Sequence, residues 1–176
     1  METTIFGIRA YQDWDDLKHW ETFFNGHRLG SLIELGTGAG AMSAYLFMQC
    51  ELRGVWFAAT FDHRLPLAPL HRMRIPFIRG DVLGDPAIVE SAILASHEQS
   101  DAPLVLFCDN GNKPQEVELY APMLRAGDYI AVHDWGTEFL EGDIPPGCRI
   151  VMEGAMTVWL VKEDGGTSSC PSTDST

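Results

Sequence analysis

The stretch Ser31-Leu32-Ile33-Glu34-Leu35-Gly36-Thr37-Gly38-Ala39-Gly40 decides the fold. Leu32, Ile33 and Leu35 form a short apolar run of strand length. The run ends in three glycines spaced two apart. Helix-forming residues without a proline follow from Gly40 to Arg53. A strand that turns through glycines into a helix is the first half of a βαβ unit. Glycines at such a turn let the chain reverse sharply and let a ligand approach the main chain closely.

The same alternation continues outward. Val55 to Phe61 reads as an aromatic and β-branched strand, and Ile75 to Ile78 as a weaker one. Asp85-Pro86 opens a helix through about Ser96, with Asp85 as N-cap. Leu104 to Cys108 is a buried strand. Asn112 to Arg125 is a helix with Asn112 and Gln115 as a capping pair, a kink at Pro122 and a stop at Gly127. Tyr129 to Val132 is the next strand. Arg149 to Glu153 and Met156 to Val161 form a terminal hairpin around Gly154. An N-terminal helix capped by Asp13 carries Trp14, Trp20, Phe23 and Phe24, which read as core, as a lid or as a dimer contact. Strands alternating with helices predict an α/β fold: a mostly parallel sheet with helices on both faces and an antiparallel end.

Ligands of open parallel sheets bind beyond the carboxyl ends of the strands. Five places qualify: Glu34 to Gly40, Asp62, Asp81, Asp109 to Lys113, and His133 to Trp135. All five carry an acid. Asp62, at the end of the strand after the glycine turn, is placed to accept both hydroxyls of a ribose. Gly36-x-Gly38-x-x-Ala41 also satisfies a dinucleotide fingerprint. Against NAD stand Glu34, unwelcome beside a pyrophosphate, and the lack of a second domain for a dehydrogenase substrate.

Ile33 to Gly40 resembles motif I of the class I S-adenosylmethionine (SAM) methyltransferases, and the resemblance extends over Leu32 to Lys162. It implies a Rossmann-like methyltransferase fold in which Glu34, Gly36, Thr37, Gly38 and Gly40 hold the cofactor. It makes Asp62 the ribose acid, and Asp81 and Val82 the segment beside the adenine. Asp109 to Lys113 and Glu118 to Trp135 are similar to the metal-dependent small-molecule O-methyltransferases, the cephalosporin hydroxylase-like branch and more distantly catechol O-methyltransferase. The resemblance implies that Asp109 and Asp134 share a divalent cation such as Mg²⁺. Adjacent strand ends lie about 5 Å apart, which suits a shared ion. The family usually has an acid where this chain has His133. His133 is then a third ligand, favouring a more nitrogen-loving metal, or a general base, or a hydrogen-bonded core residue. Lys113 is the nearest candidate for the family's base. A metal-free methyltransferase, where Asp109 holds the cofactor's amino group, is the alternative.

The 176 residues make one domain, expected over 1–162 with residues 1–30 as its helical start. Residues 163–176, rich in Gly, Ser and Thr, are expected to be a disordered tail. Twelve basic against 25 acidic residues give a net charge of −13, which disfavours a nucleic-acid partner. No apolar run reaches membrane-helix length, and Met1 to Ala10 has no signal-peptide pattern. Cys50, Cys108, Cys148 and Cys170 form no CxxC pair and read as reduced thiols. The expected protein is a cytoplasmic O-methyltransferase acting on a hydroxyl of a small molecule or sugar. The small substrate cap implies either an open site for a bulky acceptor, such as a sugar or glycan, or closure by a second copy. A metal-free N-methyltransferase and a non-catalytic SAM- or nucleotide-binding module are the other readings.

Overall fold

The computed structural model describes residues 4–64 and 68–164. A small hairpin, β1 (Thr4–Ile5) and β2 (Ile8–Arg9), precedes helix α1 (Trp14–Gly26). The sheet strands and helices then follow as β3 (Ser31–Leu35), α2 (Ala41–Arg53), β4 (Trp56–Asp62), α3 (Ala68–Met73) and β5 (Phe77–Arg79). After these come α4 (Ala87–Gln99), β6 (Leu104–Cys108), α5 (Lys113–Tyr120), β7 (Tyr129–His133), β8 (Cys148–Glu153) and β9 (Thr157–Lys162). The seven-stranded sheet has the order β5-β4-β3-β6-β7-β9-β8. Its first five strands in that order run parallel, and β9 and β8 close it antiparallel. This is the predicted α/β sheet with its terminal hairpin.

The two-residue side-chain period of a strand divides the core. Leu32, Val105, Phe107, Ala131 and Trp159 face α1 and α2, where they meet Trp20, Phe23, Ala44 and Leu46. Ile33, Leu35, Leu106, Val132 and Leu160 face the other way, against Val89 and Ile93 of α4 and Val117 and Tyr120 of α5. Burial on both faces explains why β3 and β6 are apolar runs rather than alternating ones. Trp20, Phe23 and Phe24 are core, as expected for their helical spacing, whereas Trp14 is 61% exposed.

Several predicted boundaries shift. Asp13 does cap α1, accepting from the Asp15 N–H at 2.9 Å. Asp85 does not cap α4: Pro86 stands at the cap position without a side-chain bond, and the helix runs three residues beyond Ser96. Pro122 does not kink a long helix. The α-helix ends at Tyr120, and Pro122 sits in a 3₁₀ turn over Ala121–Met123. A proline lacks the N–H an α-helix needs, and a short 3₁₀ turn absorbs that loss. Cys50, Cys108 and Cys148 are free thiols, while Cys170 and the tail from Gly165 lie outside the described residues. Glu163 still belongs to the sheet's end, with its N–H on the Gly147 carbonyl. Among the described residues, no helix is long and apolar enough to cross a membrane.

The chain leaves β3 toward one edge through β4 and β5, then returns to place β6 on the other side of β3. That reversal opens a crevice beyond the carboxyl ends of β3 and β6.

Candidate active site

Gly36 and Asp109 meet at this crevice. Gly36 has φ +98°, and a Cβ on it would lie 2.2 Å from the Asp109 carbonyl oxygen. No side chain fits there, so the glycine is required by the crossing of two main chains. The Gly36 and Thr37 N–H groups both bond the Phe61 carbonyl. Asp62 ties the loop down further: its Oδ2 accepts from the Gly38 N–H at 2.9 Å and its Oδ1 from the Arg64 N–H at 2.8 Å. Thr37 Oγ1 lies 2.6 Å from Thr60 Oγ1.

Glu34 behaves differently from the other loop residues. It is fully buried under the loop, and neither carboxylate oxygen has a hydrogen-bond partner. Burial pushes its carboxyl up to about 8. The charges of Asp109 and Asp62 add to this, and the nearby hydroxyls of Ser43 and Thr60 offset only part of it.

The other wall of the crevice is built from β6 and β7. Asp109 follows β6, and His133 and Asp134 end β7. Asp134 has φ +58°, a strained value for a residue with a Cβ, and its carbonyl collects the N–H groups of Thr137, Glu138 and Phe139. One donor atom from each of Asp109, His133 and Asp134 falls within 4.8 Å of the others. His133 Nδ1 is 3.2 Å from Asp109 Oδ1 and 3.2 Å from Asp134 Oδ1. Its side chain is 4% exposed, yet neither ring nitrogen makes a hydrogen bond. Burial would lower the His133 pKa, but the neighbouring carboxylates of Asp109, Asp134 and Asp16 outweigh it and raise it, so these side chains gather positive charge at one place, a proton on the ring or a cation shared by all three donors.

Lys113 is not the surface lysine that its helix-start position suggests. Its side chain is 5% exposed, with Nζ 2.6 Å from Asp134 Oδ2, 2.9 Å from Glu138 Oε2 and 3.7 Å from Asp109 Oδ1. Burial alone would lower its pKa. The hydrogen bonds to Asp134 and Glu138 and the charge of Asp109 outweigh burial and raise it. A lysine held as an ammonium has no lone pair with which to take a proton, which argues against a base. Asp134 is in turn held below its usual value: burial opposes this, but the Lys113 and His133 contacts prevail.

Three further residues escaped the sequence reading. Gln12 Nε2 donates to Asp109 Oδ2 at 2.9 Å. Glu138 holds Lys113. Glu116, buried, accepts from the Asn110 and Asn112 N–H groups and so shapes the loop that carries Asp109. Glu116 stands three residues after Lys113, where a sequence offers only another helix-surface acid.

A cavity of about 370 Å³ joins the two walls. Gly36, Thr37, Gly38, Gly40, Asp109, His133 and Asp134 line it, with Arg9, Tyr11 and Gln12 from the N-terminal segment. Glu34, Asp62, Asp81 and Val82 do not. Asp81 Oδ1 accepts from the Leu83 and Gly84 N–H groups in an exposed turn, and Val82 is fully buried with its carbonyl bonded by Tyr120 Oη. A larger cavity, about 650 Å³, opens at the opposite end of the sheet around His27, Arg28 and Trp56. It has neither a glycine turn nor a carboxylate cluster, so the smaller one is the candidate site.

No family model matches this sequence, and no curated protein matches it significantly. Solved structures do. CmcI with Mg and SAM superposes with a TM-score of 0.57 at 20% identity, over 75% of this chain and 57% of CmcI. MycE, a methyltransferase from the mycinamycin biosynthetic pathway, in complex with Mg, SAH and mycinamycin VI gives 0.61 at 13% identity, over 93% of this chain and 53% of MycE. A protein from Staphylococcus aureus described as a caffeoyl-CoA O-methyltransferase gives 0.59 at 13% identity, over 87% of this chain and 85% of that one. This chain therefore spans a little over half the length of CmcI and MycE. It shares their fold, the Rossmann-like methyltransferase fold.

Proposed function

We propose that this chain is a SAM-dependent methyltransferase that transfers a methyl group to a hydroxyl of a small molecule or sugar, assisted by a divalent cation. The observation that carries this reading is a single cavity lined by both the glycine turn and the Asp109, His133 and Asp134 cluster. CmcI and MycE, which share the fold, were crystallised with Mg and SAM or SAH. SAM supplies an electrophilic methyl group, and a cation supplies a Lewis acid that acidifies and orients the acceptor hydroxyl. In this reading Gly36 to Gly40 offer main-chain groups to the cofactor, and Asp62 braces that loop and faces the ribose. Asp81 and Val82 have no part in this reading, since neither lines the cavity. Asp109, His133 and Asp134 hold the cation. Lys113 fixes Asp134 in place, and the acceleration comes largely from positioning. Tyr11, 63% exposed, stands at the open rim where an acceptor or a second copy would close the site. A cytoplasmic location, where the free cysteines stay reduced, belongs to the same reading.

The test is calorimetric titration of the full chain with SAM, S-adenosylhomocysteine and NAD, with and without divalent cation, followed by an acceptor screen read by S-adenosylhomocysteine release. SAM binding without NAD binding is expected. SAM binding without turnover on any acceptor class would leave a binding module. A second reading has its own support: the Lys113 ammonium already offsets the Asp134 charge, so the fold can serve a metal-free N-methyltransferase. Full activity after exhaustive chelation would select it.

A further inference from the structure

The 650 Å³ cavity has Arg53 engaged by Glu21 and Asn25. The exposed aromatic residues Phe6, Tyr11 and Trp14 have nothing that identifies what covers them. The buried His97–Asp128 pair serves the main chain of Leu104 and Arg125. The environment of His133 carries more.

Each of the three clustered donors is gripped from behind by a different element. Asp109 gives Oδ2 to Gln12 and leaves Oδ1 toward His133. Asp134 gives Oδ2 to Lys113 and leaves Oδ1 toward His133. His133 turns Nδ1 to both of those oxygens, and its far nitrogen, Nε2, lies 3.7 Å from Asp16 Oδ2. Asp16 is wholly buried in the first turn of α1. Its own position is fixed across the fold by the Met156 N–H at 2.9 Å and the Thr157 hydroxyl at 2.8 Å. Thr157 pairs with His133 in the β7–β9 register, so the strand that anchors Asp16 is the one beside the imidazole.

At 3.7 Å the Asp16 carboxylate makes no hydrogen bond to Nε2, but its buried charge favours the proton on that nitrogen, which leaves the Nδ1 lone pair to act as a ligand. Two oxygens and one nitrogen also make a different donor set from three oxygens. Imidazole suits borderline transition metals, and an all-oxygen set suits Mg²⁺. Donor pairs 3.2 Å apart match cis positions around one ion, where ligands at ~2.1 Å stand about 3 Å from each other.

Building on the reading that the site takes a divalent cation, we propose that Asp16 is a positioning residue which makes His133 a nitrogen ligand. The site then prefers a borderline transition-metal dication of the Co²⁺ or Zn²⁺ class over Mg²⁺. The Lys113 ammonium bonds the opposite oxygen of Asp134 and stands 3.7 Å from Asp109 Oδ1, beyond hydrogen-bond distance, so both facing oxygens keep lone pairs for the ion.

The test uses the full chain, stripped by chelation and titrated with Mg²⁺, Mn²⁺ and Co²⁺. Pulsed electron paramagnetic resonance on the Mn²⁺ form detects nitrogen coordination. At least tenfold tighter binding of Co²⁺ than Mg²⁺ is expected, with a nitrogen signal from the Mn²⁺ probe. His133→Glu should remove that signal and cut the Co²⁺-over-Mg²⁺ ratio at least tenfold. Asp16→Asn should weaken Co²⁺ roughly ten- to a hundredfold and Mg²⁺ less than threefold. Thr157→Val, which loosens the anchor but keeps the Asp16 carboxylate, should shift the melting temperature more than the metal ratio. Equal affinity for Mg²⁺ with no nitrogen signal overturns the proposal and leaves metal-assisted methyl transfer standing. An unchanged metal ratio in His133→Glu, or equal weakening of both metals in Asp16→Asn, also overturns it. No binding of any dication overturns both, while SAM titration of the same sample reports separately on the methyl-donor half.

Discussion

Under the glycine turn, Glu34 is enclosed by β3, β4 and α2 with no cation and no hydrogen bond for its carboxylate. At the ends of the neighbouring strands, Asp109 and Asp134 share a rim with Lys113 and His133. Both places are acids at the carboxyl end of one sheet. In the first, burial is the largest influence, and the carboxyl keeps its proton to about pH 8. In the second, an ammonium buried with the acids decides, and Asp134 gives up its proton below the usual range. The charge that a site presents is thus set by which acid has a cation beside it, not by where acids occur in the sequence.

Removing that cation breaks the contrast most severely. Lys113→Met leaves Asp134, Asp109 and Glu138 to repel one another in a half-buried cluster. Taking one partner from a buried ion pair costs about 3–5 kcal/mol. Denaturant unfolding at pH 7 should show a loss of that size, shrinking as the pH falls through the carboxylate range. A loss below about 1 kcal/mol would mean that the acids shed their charge into water without help.

The Glu34 side is tested by pH. Its folded pKa, about 8, lies above the ordinary value near 4.5, so the folded chain holds a proton that the unfolded chain releases between those values. Its contribution to stability is therefore complete below about pH 4.5 and is lost as pH rises toward 8, by up to about 1.4 kcal/mol per pH unit. Glu34→Gln, a neutral group of the same shape, should flatten that fall and be more stable than the parent at pH 8 by roughly 4 kcal/mol. Parallel pH profiles for the two proteins would show that Glu34 is ionised in place.

How far these neighbourhoods were legible in the sequence follows from what makes them. β3, β6 and β7 are apolar runs buried on both faces, so their ends and the acids after them could be read directly. The close approach of Gly36 to Asp109 follows from strand order. The role of Lys113 could not be read, because an N-terminal helix lysine is ordinarily solvated, and its partner Glu138 lies 25 residues away. Asp16 looks like any first-turn acid that favours a helix dipole. Its bond to Thr157 spans 141 residues, and no local pattern signals it. The β1–β2 hairpin and α3 are too short to carry a period. Adenine-side residues Asp81 and Val82 were placed by resemblance, and in the structure they lie off the cavity.

A third acid sharpens the contrast by ligand binding. Asp62 is held by two main-chain N–H groups rather than by a side-chain cation. Asp62→Ala frees the Gly38 N–H and removes the ribose acceptor of the proposed cofactor site. Two hydrogen bonds to a charged acceptor, at ~1.5–3 kcal/mol each and less than additive, correspond to a roughly ten- to few-hundredfold weaker SAM complex. Calorimetry on the folded variant checks it, and an unchanged dissociation constant would remove Asp62 from the cofactor site.

The smallest effect isolates environment from geometry. Arg149 Nε lies 2.9 Å from Glu163 Oε1, the same separation as Lys113 Nζ from Glu138 Oε2. Arg149 and Glu163 are 61% and 47% exposed, whereas the Lys113 side chain is 5% exposed. Water and salt screen the exposed pair, and ordering two long side chains offsets what remains, so such pairs contribute about 0–1 kcal/mol. A chain ending at Lys162 lacks this pair, the Glu163 N–H bond to Gly147 and all residues beyond. Its melting temperature should stay within about two degrees of the full chain, since ~1 kcal/mol shifts a domain of this size by only about 2–4 °C. Its SAM affinity should be unchanged, because among the described residues the cavity draws none from that end. The same measurement on Arg149→Ala separates the ion pair from the truncation. A drop approaching that of Lys113→Met in either protein would show that distance, rather than burial, governs these pairs.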